Sequence, residues 1–173
     1  MRLALLLAFL PGLALAHDGP HDCLPPTAAL VGDASTLPVD APTLLYFGFA
    51  SCPDVCPLDL SRNAEAARIA EEHGVAVVNL FVSVDPSDTA EDVAWFVENW
   101  PGAEGRTADP ALEAALYVSA EPRDGAPELF DHSTLTYVVA PGLGVVALAG
   151  RSQTPEEVAE LLICLAQTPV QGD

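Results

Sequence analysis

The chain has 173 residues, half of them apolar, and sets 25 acidic side chains against six basic ones for a formal net charge of −19. That length fits one domain with an appendage, and the apolar share suffices for a core that needs no staples. The charge, with no lysine anywhere, argues against nucleic acid and anionic lipid as partners and favours basic protein surfaces.

Residues 1–16, MRLALLLAFLPGLALA, hold one early charge, an apolar run and a small-residue ending of the A-x-A kind. This is the pattern of a cleavable secretory signal peptide. The run is short for a bilayer and Pro11-Gly12 interrupts it. The expectation is therefore an exported, periplasmic protein beginning at His17, with no stable membrane anchor. Cleavage would leave five arginines against the 25 acids.

Residues 17–42 are rich in Pro, Asp and Ala and read as a lead-in segment, with at most a short strand over 28–31. TLLYFGF (43–49) is an aromatic and aliphatic run that suits a buried strand. A helix follows, expected to begin at Pro57 and run to His73, with Gly74 closing it. VAVVNLFVSV (75–84) reads as a central strand covered on both faces. Asp85-Pro86 stops it, and Thr89 with Asp92 forms a capping box for a helix over 90–100. A weaker strand is expected over 105–108, a short helix over 110–116 and a loop over 119–131. Two strands (134–140 and 145–150) then flank the Pro141-Gly142 turn. The last helix has Thr154 as N-cap, Pro155 at its first position and Glu157 completing a capping box. The order β, α, β, α, β-hairpin, α defines an α/β class. It is a thioredoxin-like arrangement, with a central mixed sheet flanked by helices.

Four cysteines occur: Cys23, Cys52, Cys56 and Cys164. In an oxidising compartment an even count suggests two pairs, 52–56 by proximity and 23–164 by remainder. The second would tie the N-terminal segment to the last helix, whose core stripe is Val158, Leu161, Leu162 and Leu165. Cys52 and Cys56 each precede a proline, which disfavours helical backbone at both. They are expected to flank a turn centred on Pro53-Asp54, beyond the carboxyl end of a strand, where open α/β sheets place their chemistry. Cys56 at a helix N-terminus should have its thiolate favoured. The pair can be a structural staple, a redox couple or half of a metal site. As a staple it is weak, because a ring so short removes little chain entropy. A nearby imidazole would turn two thiolates into a soft-metal site suited to Cu(I). Candidates are His17, His21, His73 and His132. His73 caps a helix, and His17 with His21 belongs to a polar end; His132 stands immediately before a predicted core strand.

Three segments in order, YFGFASCPDVCP (46–57), SVDPSDTAEDV (83–93) and DHSTLTYVVAPG (131–142), resemble the Sco/SenC family. These are thioredoxin-like copper proteins that help assemble the binuclear CuA site of cytochrome c oxidase. The resemblance covers residues 43–165 and implies a Sco-type domain over 43–168. It implies that Cys52, Cys56 and His132 are ligands for both Cu(I) and Cu(II), with Asp54 and Asp85 in their surroundings. The partners it implies are the copper-site subunit of the oxidase and other periplasmic copper chaperones. A thiol–disulfide reductase, using Cys52 and Cys56 as its redox-active pair, is the alternative.

Overall fold

The computed structural model describes residues 37–167. The expected signal peptide, most of the lead-in, His17, His21 and Cys23 lie outside the described residues, so the expected 23–164 bridge does as well.

Chain order gives β1 (Thr43–Gly48), α1 (Val55–Glu72), β2 (Val78–Ser83), α2 (Ala90–Val97), β3 (Ala103–Arg106) and α3 (Pro110–Ala115). They are followed by β4 (Ala120–Arg123), β5 (Ala126–His132), β6 (Thr136–Ala140), β7 (Gly144–Ala149) and α4 (Pro155–Gln167). One sheet has the order β3-β2-β1-β6-β7, and β4 with β5 forms a second of two strands. β1, β2 and β3 run parallel, whereas β6 is antiparallel to β1 and to β7. This is the thioredoxin-like mixed sheet that the element order implied.

β1 is buried along its whole length, as its unbroken apolar run requires of a strand covered on both faces. Leu44 packs with Val138, Val146 and α4 residues Val158 and Leu162, next to Ala66 and Ala70 of α1. Tyr46 and its register partner Phe81 also look toward helices: Tyr46 bonds to Asp59 of α1, and the Phe81 ring meets Phe96 of α2. On the other face Phe47 meets Tyr137 edge to face, and the Tyr137 hydroxyl donates to the Leu116 carbonyl beside α3. Alternate residues of one strand thus serve opposite faces of the sheet.

The capping boxes at Thr89/Asp92 and Thr154/Glu157 form as their spacing implied. Val158, Leu162 and Leu165 are buried on α4, while Leu161 is only partly covered and Ala159 takes its place in the core.

Three expectations need correction. Residues 119–131 are not a loop: they hold β4 and most of β5, paired antiparallel with Ala120 opposite His132. The tip is Asp124-Gly125, with Gly125 at φ +79°, a favoured hairpin turn. Its prolines and charges mask any alternation, and Pro122 adjoins the register shift. Second, α1 starts at Val55 rather than Pro57. Pro57 falls in the first turn, where a missing N–H costs nothing, and burial of Cys56 outweighs the pre-proline bias against helix. Third, β2 begins at Val78 and β3 at Ala103, each shifted from its expected start.

Candidate metal centre

The cysteine loop is set by the strand before it and by β2 beside it. After β1, the Cys52 N–H bonds to the Phe49 carbonyl at 3.0 Å, so the turn precedes Cys52 rather than lying between the cysteines. Asp88 clasps this turn from across the sheet edge: its carboxylate accepts from the Ala50 N–H at 2.7 Å and from the Ser83 hydroxyl at 2.6 Å. Cys52 then stands at the rim and Cys56 in the first turn of α1. Both are buried, Cys56 completely. Room for the Cys56 sulfur comes from Gly48, where an added Cβ would lie 2.8 Å from that sulfur and 2.9 Å from the Phe81 ring.

His132 arrives from elsewhere. It ends β5, on the small hairpin, and is not the entry to β6 that the sequence pattern implied. The hairpin leans on the main sheet through rings: Phe130 meets Phe49 at 5.5 Å, and His132 lies edge-on to Phe49 at 5.8 Å and to Tyr46 at 6.1 Å. Its base is closed by Ser133 N–H to Ser119 carbonyl and Ser119 N–H to Ser133 hydroxyl. The His132 Nδ1 lies 2.9 Å from the Ser133 carbonyl. A carbonyl can only accept, so Nδ1 carries a proton and Nε2 is the ring nitrogen turned to the sulfurs. Nε2 faces the Cys56 sulfur at 3.5 Å.

The donor atoms of Cys52, Cys56 and His132 all lie within 4.8 Å of one another, the one such cluster among the described residues. A cleft of about 250 Å³ reaches Cys52 and His132, bounded by Phe49, Pro53, Asp54, Arg123 and Phe130, while Cys56 lies buried behind it. Two thiols and an imidazole lone pair suit a soft or borderline ion. The Nδ1–carbonyl bond is the outer contact that fixes a ligating histidine's orientation. The residues present therefore fit the metal that the resemblance implied.

The two thiols are unequal. Cys52 is held well below the ordinary thiol range, chiefly by the hydrogen bond from Cys56, then by His132 and the Asp54 backbone N–H, against a burial cost. Cys56 is pushed up because it supplies that hydrogen bond and is buried. The expectation that helix position makes Cys56 the thiolate is thus reversed: burial and the shared proton outweigh the dipole. Asp54 borders the cleft as expected, whereas Asp85 turns away and accepts from Ser87 N–H and hydroxyl. His73 caps α1, its Nδ1 on the Ile69 carbonyl, away from the cluster.

Beneath Cys56 lies a buried polar group that no motif announced. The Tyr46 hydroxyl donates to Asp59 at 3.1 Å, and Asp59 is paired with Arg62 at 3.3 Å. Arg62 also donates to the Gly150 carbonyl and the Thr136 hydroxyl, each at 2.7 Å. Asp59 falls four residues after Val55 and three after Cys56 on α1, a spacing that puts it one turn on from Cys56.

The described chain is thus a thioredoxin-like protein in which the loop into the first helix, that helix and an added hairpin bring two thiols and one imidazole to a single point. Residues 35–167 match the SCO1/SenC family, and the chain belongs to it. It is 39% identical over 163 residues to protein SenC of Rhodobacter capsulatus, covering 87% of this chain and 72% of that one. It is 34% identical over 127 residues to the mitochondrial SCO1 homolog 1 of Arabidopsis thaliana, covering 68% of this chain but 38% of that longer one. The crystal structure of Arabidopsis thaliana ScoI with copper bound superposes with a TM-score of 0.66 at 29% identity, covering 73% of this chain and 84% of that chain.

Proposed function

We propose that this protein is a copper chaperone: it takes up Cu(I) and Cu(II) through Cys52, Cys56 and His132 and delivers copper for assembly of the CuA site of cytochrome c oxidase. The observation that carries this reading is the convergence of the three donor atoms, in a fold similar to that of a relative described with copper bound. Cu(I) accepts low coordination by the two sulfurs, while Cu(II) calls on the imidazole, so one site serves both states. The recipient is the copper-site subunit of the oxidase, and other periplasmic copper chaperones are the suppliers in this scheme. Residues 43–168 form the working domain, exported by the segment 1–16. Among the described residues no helix is long and apolar enough to cross a membrane.

The test is to load the reduced protein with Cu(I) and with Cu(II) and compare wild type with His132→Ala. The proposal expects a thiolate-to-Cu(II) absorption band in wild type that the variant loses. An unchanged band and affinity in the variant would remove the three-donor site.

The second reading, a thiol–disulfide reductase for a partner's copper-ligand cysteines, is favoured by the free pair and by the depressed Cys52 thiol. It makes no use of His132 as a ligand. Reduction of a disulfide substrate by His132→Ala at the wild-type rate, together with no copper-dependent function, would select it.

A further inference from the structure

Tyr46 stands in the middle of β1 and is fully buried, yet its hydroxyl has two acceptors before it. It donates to Asp59 Oδ2 at 3.1 Å. Its ring also lies beside the Cys56 sulfur, both being nearest neighbours of a Cβ added at Gly48, and the phenol and that thiol perturb one another's titration. One phenolic proton cannot serve both. Asp59 is fixed in its claim: its Oδ1 is paired with Arg62, 3.3 Å away, and Arg62 is pinned by Gly150 and Thr136. Asn63 adds a further bond to the Thr136 hydroxyl at 3.0 Å. The Tyr46 ring meets the His132 ring edge-on, so Tyr46 touches two of the three donor residues at once.

A buried ion pair is a poor device for stability, since desolvation offsets most of its attraction. This one sits directly under a metal-binding sulfur, which gives it another use. A thiolate that accepts a hydrogen bond lends less electron density to a bound metal, and such bonds tune metal–sulfur sites. We propose that Asp59 is a positioning residue acting through Tyr46: by holding the phenolic proton it keeps that proton off Cys56 and leaves this sulfur an undiminished donor. The inference rests on the Cys52–Cys56–His132 site proposed above.

The test uses Cu(II) alone as the probe on reduced, full-length protein and reads the sulfur-to-Cu(II) absorption band. In Asp59→Asn, Arg62 retains the amide oxygen on its own side, so the amide N–H₂ faces the phenol oxygen. Arg151, 3.8 Å from Asp59 and half exposed, swings clear. The phenol then receives a hydrogen bond where it used to give one, and its proton turns to Cys56. The expected result is a band at shorter wavelength in Asp59→Asn, and a band at the wild-type position in both Tyr46→Phe and the double variant. The double variant separates the hydrogen bond from a general field effect of the lost charge. A shift that persists in the double variant overturns the proposal, as does an unmoved band in copper-loaded Asp59→Asn. Should Asp59→Asn fail to fold, Tyr46→Phe decides: a shift to longer wavelength means the wild-type phenol already donates to sulfur, which refutes the assignment. A wild-type protein with no such band at all refutes the copper site itself and this assignment with it. A wild-type band with unresponsive variants refutes the role of Asp59 alone.

Discussion

The two regions that meet at the centre are built to different standards. Cys52 and Cys56 belong to the interior: they are counted among the residues of the larger core, with a glycine cut away for one sulfur and a carboxylate clasp fixing the loop. His132 belongs to a two-stranded sheet that shares no backbone ladder with the main one. An isolated hairpin is marginal in water, so this one depends on Phe130, His132 and the serine pair at its base. The sulfurs are set by the fold, whereas the imidazole is delivered to them. Chemistry that needs only the pair should survive damage to the hairpin, and chemistry that needs three donors should not.

The largest effect expected on that contrast comes from the interior. Cys56→Ser should abolish Cu(I) binding, exceeding the 10–100-fold typical of losing an outer-shell contact; competition with a Cu(I)-specific chelator measures it. His132→Ala should eliminate the Cu(II) band and slow disulfide formation between Cys52 and Cys56 only modestly. It removes the lesser side-chain hydrogen bond on the Cys52 thiolate and a ring contact with Phe49, but leaves the Cys56 bond and the Asp88 clasp in place. A large change in that rate would break the distinction between the regions. Gly48→Ala should cost about 1–3 kcal/mol by overpacking against the Cys56 sulfur and Phe81, read as a lower urea midpoint.

Smaller effects sharpen the same contrast. In the metal-free reduced protein, alkylation of Cys52 should stay rapid through neutral pH and fall only in acid, because its thiol is depressed. The sign for stability follows: the contribution of this thiolate is fully present above the ordinary thiol pKa and is lost as pH falls through the depressed one. A labelling profile that rises only near the ordinary thiol value would contradict the shared proton. Arg123→Ala, which removes the Arg123–Asp131 pair across the hairpin, should cost no more than about 1 kcal/mol, because both side chains are half exposed or more. Thermal melting and the Cu(II) band should both stay close to wild type.

How much of this was readable in advance follows the same divide. β1, β2 and α4 announce themselves through long apolar runs and capping boxes, signals that tertiary context seldom overrides. The hairpin has neither: Pro122 and Pro127 interrupt it, Glu121, Arg123, Glu128 and Asp131 leave no clean alternation, and only the Asp124-Gly125 turn hints at it. The three candidate donors were legible, but through resemblance to a family more than through spacing, since 75 residues lie between Cys56 and His132. The local proline bias misplaces the helix boundary at Cys56, because it carries no information on how deeply that sulfur is packed. Tyr46 and Asp59 were illegible for another reason. A tyrosine in a strand and an aspartate in a helix are ordinary, and only the fold brings the phenol between a carboxylate and a sulfur.

Gly48 carries a consequence for what substitutions the chain can tolerate. Its backbone is ordinary strand, so the demand at this position is for empty space, and no other side chain is smaller. Gly125 makes the opposite demand, since its φ is positive while nothing lies within 4 Å of an added Cβ. In a saturation library selected for copper loading, position 125 should therefore admit asparagine and aspartate alongside glycine. Position 48 should return glycine alone.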